Sequence, residues 1–202
     1  MISLLASVLV ATNTVASAAV LPAEATAEEL VRSCRTMIPA TAEVEGRIVL
    51  RSRKGIVQAE HAYVLTRTDG ATALKVDGSP VAQPAATASQ NLLGTDVTWS
   101  DITLDYLWWD SFAFDTERES ETVHGQRCSV VLLKKGDRTV RVWVDRKTGA
   151  MLQAEELRDE KAVRRLWGTR IKKFDGRWLP SQLEVETLGS GHRTKITVEK
   201  LK

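Results

Sequence analysis

The stretch TVRVWVDRKTGAMLQAEELR, residues Thr139–Arg158, decides the fold class of this protein. Three valines alternate with polar or aromatic residues over 140–145, which is the period of two that a β-strand imposes on its two faces. The sequence RKTG at 146–149 predicts a tight reversal of the chain, because glycine at 149 can take a positive φ without steric cost. A return strand begins at Met151. This stretch predicts a β-hairpin.

The same strand–turn–strand pattern recurs on both sides of this hairpin. Period-two segments begin at Ala42, and Asp69-Gly70 and Asp77-Gly78 are strong signals for hairpin turns. Further strands are predicted at 127–134, 139–145, 151–158, 163–174, 179–187 and 193–201. The chain therefore predicts one long antiparallel meander.

One amphipathic helix precedes the strands. Thr26 as N-cap and Glu29 form a capping box, and apolar residues recur at helical spacing over 30–38 before Pro39 ends the helix. Because this helix must bury its apolar stripe, we expect a mainly β (α+β) fold. In it, a strongly curved antiparallel sheet, or half-open β-barrel, wraps around the N-terminal helix. A closed barrel is the alternative. Both leave an apolar concavity that suits a hydrophobic ligand.

The N-terminal residues 1–25 predict a signal peptide. Residues 2–20 are uncharged and rich in Leu, Val and Ala, and small-residue cleavage signals place the cut after about residue 18 or 25. An N-terminal membrane anchor, the alternative, needs a longer and better flanked apolar stretch. We therefore expect an exported, soluble monomer with a single mature domain at 26–202.

The composition argues against a nucleic-acid partner. The 202-residue chain is 43% hydrophobic and 27% charged, and its net charge is only +2. Basic residues do concentrate between Arg158 and Arg177, interleaved with Trp167 and Trp178. Because export is predicted, we interpret this stretch first as a solvated sheet face. Docking to an acidic partner or an anionic lipid surface is the second interpretation.

The sequence carries no pattern typical of a catalytic, cofactor or metal site. His61, His124 and His192 lack paired spacing and have no Cys or carboxylate in ligand register. The Ser of GSG at 189–191 fits a hairpin turn better than a nucleophile elbow. Alternating acids over 115–121 are typical of the solvated face of an edge strand. We predict that the protein is not an enzyme and binds no cofactor.

The two cysteines are a candidate disulfide. Cys34 lies on the helix stripe and Cys128 begins a strand, so a bond between them would pin the helix to the sheet in an oxidising compartment. Two buried free thiols are the alternative. The sequence alone does not choose, because the bond requires a specific Cα separation.

Aromatic residues of the segment 92–114 are the candidate ligand-binding residues. Ser100 and Asp101 are predicted to cap a short helix here. Core packing is the default role of any single aromatic side chain, but their number exceeds what a short connecting helix needs to bury. The predicted wall of an apolar cavity consists of Trp99, Trp108, Trp109, Phe112 and, from the hairpin, Trp143.

Five motifs follow one another along the chain. They are LGTDVTWSDI at 93–102, VHGQRC at 123–128, VWVDRKTG at 142–149, KFDGRWLP at 173–180 and GHRT at 191–194. In sequence and order, these motifs resemble those of exported outer-membrane lipoprotein-sorting proteins, the LolA-like superfamily. Together they extend over most of the predicted mature chain, which makes the resemblance more specific than any one motif.

This resemblance implies a half-open antiparallel barrel, capped by helices, that encloses a hydrophobic cavity. It also implies a periplasmic carrier or chaperone for lipid or lipoprotein acyl chains in outer-membrane lipoprotein sorting, with an inner- or outer-membrane transport partner. The founding carriers latch their lid with an arginine, for which Arg47 is the nearest candidate by position. The alternative is a non-enzymatic envelope adaptor or scaffold that uses the same fold for protein–protein contacts.

Overall fold

A computed structural model describes residues 24–69, 71–82, 90–174 and 177–202. The predicted signal peptide lies almost entirely outside the described residues, as does Gly70 of the predicted 69–70 turn. The helices are α1 (Ala27–Met37), α2 (Trp99–Thr103) and a 3₁₀ helix (Asp105–Trp108). The strands are β1 (Ala42–Ser52), β2 (Val57–Thr68), β3 (Ala71–Val76), β4 (Ser79–Val81), β5 (Ser111–Phe114), β6 (Ser120–Val123), β7 (Gln126–Lys135), β8 (Arg138–Asp145), β9 (Met151–Arg158), β10 (Lys161–Phe174), β11 (Arg177–Thr187) and β12 (His192–Leu201).

All of these strands belong to one antiparallel sheet in the order β4-β3-β2-β1-β12-β11-β10-β9-β8-β7-β5, with β6 also pairing with β7. The sheet does not close, because β4 and β5 end the order on opposite sides. The prediction of an open, curved antiparallel sheet around one N-terminal helix is confirmed. The predicted later strands agree with the observed ones to within two residues.

Helix α1 packs on the sheet as its sequence pattern predicts. Thr26 accepts a hydrogen bond from the Glu29 amide at 3.2 Å, and Glu29 accepts one from the Thr26 amide at 2.7 Å, which completes the capping box. Leu30, Val31 and Cys34 are buried against alternate residues of β7 and β8. We call the sheet face that carries α1 the inner face.

The strand register extends this inner face across the sheet. Val142 on β8 is opposite Ala154 on β9, which is opposite Leu166 on β10, and Leu166 is opposite Val185 on β11. Directly opposed residues of an antiparallel sheet share a face. One core cluster therefore lies under α1, and a second lies on the same face over β1–β3 and β10–β12.

The chain crosses this inner face between β4 and β5, which lie at opposite edges of the sheet. We call residues 90–110 the crossing segment. Thr98 is the N-cap of its short helix α2 and accepts a hydrogen bond from the Asp101 amide, so the predicted cap at Ser100 is wrong. Leu104 then takes a left-handed φ of 54° and ends α2. A local capping box and a left-handed stop therefore limit α2 to five residues.

The predicted solvated face of acidic residues is also wrong at Asp115. This residue lies between β5 and β6, and its buried carboxylate accepts a 2.6 Å hydrogen bond from Nε of Arg141. Arg141 is 3.6 Å from Glu155, which also pairs with Arg165 at 2.8 Å. These groups lie on the outer face of the sheet. Burial of one carboxylate there is tolerated because a guanidinium neutralises it.

Candidate functional site

The crossing segment covers the second core cluster of the inner face. Val97 and Trp99 are fully buried there against apolar residues of β1–β3 and β10–β12. Farther along the segment, Tyr106, Leu107 and Trp109 join the cluster under α1. The protein's own side chains therefore occupy the concavity that the fold provides.

Three arginines reach from the sheet to α2 and hold the crossing segment. Arg67 comes from β2, whereas Arg138 and Arg164 come from β8 and β10, which lie on the two sides of β9. The contacts are Arg67 Nη2 to the Thr103 carbonyl at 2.8 Å, Arg138 Nη2 to Ser100 Oγ at 3.2 Å, and Arg164 Nη2 to Asp101 Oδ2. Arg164 Nη1 also donates to Asn91 Oδ1 at 2.9 Å.

A buried hydroxyl adds a fourth tether. Thr194 on β12 donates from Oγ1 to the Asp96 carboxylate at 3.2 Å and accepts from the Asp96 amide at 3.0 Å. These contacts are side-chain hydrogen bonds, and each group would need a new partner if the segment moved away. The crossing segment is therefore attached by separate polar contacts over an apolar surface.

A small cavity with charged and apolar lining residues lies where α2 meets β8–β10. Its volume is about 20 Å³, which is room for about one water molecule, and its lining includes Asp101, Glu156, Arg138 and Arg164. Burial raises the pKa of Asp101 above its usual range, although Arg164 favours the ionised form. Burial likewise raises the pKa of Glu156. A second pocket, about 650 Å³, is a polar surface groove beside β1, β11 and β12.

The five predicted wall residues do not form one wall. Trp99, Trp109 and Phe112 belong to the inner-face clusters or pack against them. Trp108 is 45% exposed and lies beside the Arg67 guanidinium, 4.9 Å from the ring centroid. Trp143 is buried on the outer face and donates from Nε1 to Glu121 at 2.9 Å. Only the first three therefore remain candidates for contact with a ligand on the inner face.

Arg47 is not positioned to latch the crossing segment. Its exposed side chain pairs with Glu60 and with Glu199, both on the neighbouring strands. Arg67, which sequence reasoning missed, makes the contact with the segment instead. The strand period offered a signal, because Arg67 continues the alternation of Tyr63 and Leu65, whose side chains face the core.

Sequence reasoning also missed Arg164, although strand alternation again places it on the inner face. It falls within the basic stretch interpreted as a solvated face, yet it is buried and shares its face with Leu166. The next residue, Arg165, lies on the opposite face and pairs with Glu155. The basic stretch is therefore divided between both faces of β10.

The candidate disulfide between Cys34 and Cys128 is not formed. Both cysteines are buried free thiols, and they belong to different core clusters, one on the inner face and the other on the outer face. The Cys34 thiol donates to the Gly149 carbonyl at 3.4 Å. Burial raises the pKa of Cys34 to about 12 and that of Cys128 to about 11, which keeps both thiols protonated and unreactive.

Potential metal ligands are dispersed over the described residues, where no three His, Cys, Asp or Glu side chains form a cluster. His61, for example, is 2.7 Å from Asp77 alone. Within the same residues, no helix has the length and apolarity needed to cross a membrane.

Three solved structures share this fold with the chain at 13–16% sequence identity. A LolA superfamily protein from Nitrosomonas europaea matches with a TM-score of 0.72 and 16% identity over 88% of this chain and 93% of its own. A DUF1329 family protein from Desulfovibrio piger gives a TM-score of 0.65 and 16% identity, over 87% of this chain and 91% of its own. An outer membrane lipoprotein-sorting protein domain from Vibrio parahaemolyticus gives a TM-score of 0.61 and 13% identity, over 87% of this chain and 91% of its own. The fold is therefore LolA-like.

Sequence comparison adds one match. No curated protein matches the chain. One protein-family model matches residues 79–202, which include the crossing segment and β5–β12. The description of this family is "-like: Uncharacterized protein". This match covers more than half of the chain, and the chain therefore belongs to that family of LolA-like fold.

Proposed function

We propose that this protein is a non-enzymatic periplasmic carrier that shelters lipid or lipoprotein acyl chains on the inner face of its sheet. Residues 1–25 act as the signal peptide, and residues 26–202 form the mature carrier. The observation that carries the proposal is the crossing segment, which covers the apolar cluster over β1–β3 and β10–β12 and is attached to the sheet by separate side-chain contacts. The structure is the closed form of the carrier.

Loading moves the crossing segment away from β1–β3 and β10–β12. An acyl chain then takes the place of Val97 and Trp99 against the sheet. Each CH₂ transferred from water contributes about 0.8 kcal/mol, so a chain of ordinary length offsets the loss of the buried Trp contact. A membrane transport complex that hands over and receives the chain is the expected partner. The LolA-like fold supports this proposal, and one neighbour of that fold is described as lipoprotein-sorting.

A non-enzymatic adaptor or scaffold is the second candidate. The observation that favours it is the same concavity, because the protein's own aromatic side chains fill it in the closed form. An adaptor would keep the crossing segment in place permanently and bind protein partners through its outer surface.

Native mass spectrometry separates these two functions. The mature protein, purified from an envelope extract, is expected to carry bound lipid that organic extraction identifies, and to bind a fluorescent acyl probe. Trp109→Asp places a charge on the inner face and should abolish probe binding. Trp167→Asp is the control, because Trp167 lies on the outer face of the sheet, and this variant should still bind the probe.

A clean mass without lipid, together with no uptake of the acyl probe by the wild-type protein, contradicts the carrier function. Equal loss of probe binding in both variants, with both still folded by circular dichroism, contradicts the inner face as the binding surface.

A further inference from the structure

We propose that Arg164 and Arg138 form a subsite for an anionic headgroup, whose place the carboxylate of Asp101 takes in the closed form. This inference rests on the proposed carrier function and specifies its ligand as an acyl chain with a carboxylate or phosphate head. The crossing segment then competes with both parts of the ligand. Its apolar residues occupy the surface that the acyl tail would cover, and Asp101 occupies the position of the anionic head.

The location of the two arginines supports a headgroup site. Both lie on the inner face, Arg138 two residues before Val140 and Arg164 two residues before Leu166. Apolar groups surround them, since Val140, Leu166, Ala154 and Tyr106 also line the small cavity between α2 and the sheet. The Arg138 guanidinium is 4.9 Å from the centroid of the Trp109 ring. A ligand on the inner face would therefore contact both guanidinium groups at the end of its apolar path.

The charges of this cluster balance only when the crossing segment is in place. Arg138 and Arg164 face two carboxylates, of which Glu156 is on β9 and Asp101 is on the crossing segment. Arg164 Nε is 3.6 Å from Glu156 Oε2, whereas its Nη2 and Nη1 donate to Asp101 and Asn91 of the segment.

Movement of the segment therefore removes two acceptors from Arg164 and removes Ser100 from Arg138. One carboxylate, Glu156, is left between two guanidinium groups. Nε of Arg138 already lacks a hydrogen-bond partner among the described residues.

An unneutralised guanidinium next to hydrocarbon is strongly unfavourable, because a buried charge requires an opposite charge. A neutral ligand would fill the apolar face and leave this excess charge unpaired. A ligand with a carboxylate or phosphate head restores the balance, and guanidinium groups bind both oxyanions with paired, charge-assisted hydrogen bonds. The cluster therefore selects anionic over neutral amphiphiles of equal chain length.

The outer face of the same strands provides the matched control. Arg165 follows Arg164 on β10, and its partner Glu155 is on β9, so this ion pair lies within the sheet and is independent of the crossing segment. Removing the Arg165 charge should leave ligand selection unchanged.

Isothermal titration calorimetry with three monoacyl amphiphiles of one chain length, each below its critical micelle concentration, tests the subsite. These are palmitate with a carboxylate, palmitoyl lysophosphatidate with a phosphate, and neutral monopalmitoylglycerol. The wild-type protein should bind at least one anionic amphiphile about tenfold more tightly than the neutral one. The tighter of the two anions identifies the head.

The double variant D101N/R164Q replaces the ion pair by a neutral pair of similar shape. This double variant should bind all three amphiphiles with about the affinity that the wild-type protein has for neutral monopalmitoylglycerol. R165Q should retain the wild-type preference for an anionic amphiphile. R138Q should show a reduced preference, and it serves as a second test if the double variant does not fold.

Equal affinities of the wild-type protein for anionic and neutral amphiphiles overturn the subsite and leave the carrier function intact. An undiminished preference in D101N/R164Q or in R138Q also overturns it. Failure of the wild-type protein to bind any of the three amphiphiles overturns the carrier function and the subsite with it.

Discussion

Nη2 of Arg67, on β2, donates a hydrogen bond of 2.8 Å to the carbonyl oxygen of Thr103, the last residue of α2. Both residues are buried. The carbonyl groups at the end of a helix have no intrahelical donor, so Arg67 supplies the partner that this short helix lacks. The same guanidinium stacks on Trp108, and together these contacts join β2 to the crossing segment.

Replacing Arg67 should loosen the crossing segment. Arg67→Gln removes a buried, charge-assisted hydrogen bond, so we expect a stability loss of about 1.5–3 kcal/mol and faster association of a fluorescent acyl probe. Arg47→Gln is the control, because its ion pairs are exposed and contribute at most about 1 kcal/mol. Chemical denaturation and stopped-flow fluorescence measure the two effects. Equal association rates for both variants would contradict a latch at Arg67.

Trp99 anchors the crossing segment to the sheet. Trp99→Ala should lower the free energy of unfolding by about 3–5 kcal/mol, because truncating a fully buried aromatic residue leaves a cavity. A small apolar molecule such as indole should restore part of this loss by filling the cavity. Trp108→Ala, which removes a 45% exposed ring, should cost about 1 kcal/mol or less and should not respond to indole. Thermal denaturation with and without indole measures both outcomes.

Gly46 permits the close pairing of β1 with β12. A Cβ atom at this position would lie 1.8 Å from the Thr197 carbonyl oxygen and 2.8 Å from Cε1 of Tyr63, so the backbone itself would have to move. Gly46→Ala should destabilise the protein by about 3 kcal/mol or more. Gly168→Ala on β10 meets no atom within 4 Å and should be nearly neutral. Urea denaturation of the two variants compares them directly, and similar midpoints would refute the steric argument.

The ion pairs of Glu45 on β1 with Lys200 and Lys202 should weaken in acid. Hydrogen bonds from Lys202 and Lys200 lower the pKa of Glu45 to about 2. Because the folded-state pKa is below the value of about 4.5 in the unfolded chain, the stabilisation is fully present only above that pH and is lost as the pH falls towards 2. Glu45→Gln should therefore lower the melting temperature slightly at pH 7 and progressively less below about pH 4.5. Added salt should reduce the difference, since these groups are exposed.

Local patterns were sufficient to predict α1 and the strands from β7 onward, but not the division of residues 99–114 into α2, a 3₁₀ helix and β5. The capping box at Thr26 and Glu29 and the positive φ angles of Asp77 and Gly78 depend only on residues close in sequence. Strand alternation likewise follows from local geometry. For this reason the predicted helix and later strands agree with the observed ones, while α2 was misplaced by two residues at its cap.

The sequence did not determine the faces on which the five predicted wall residues lie. Trp99, Trp109 and Phe112 lie on the inner face, whereas Trp143 lies on the outer face and Trp108 is exposed. Contact of any of them with a ligand stays a prediction. Membership of an aromatic-rich segment does not determine the direction of a side chain. A left-handed residue at Leu104 rotates the chain between Trp99 and Trp108.

The sequence by itself determined a mainly β fold, an antiparallel meander, one capped helix and a resemblance to LolA-like proteins. These follow from period, turn residues and motifs, which act over a few residues at a time. Only the tertiary structure decided that the crossing segment fills the concavity, that Cys34 and Cys128 lie on opposite faces, and that Arg67, Arg138 and Arg164 converge on α2. Contacts of this kind join residues 36–63 positions apart, and no local pattern specifies which distant strand supplies the partner.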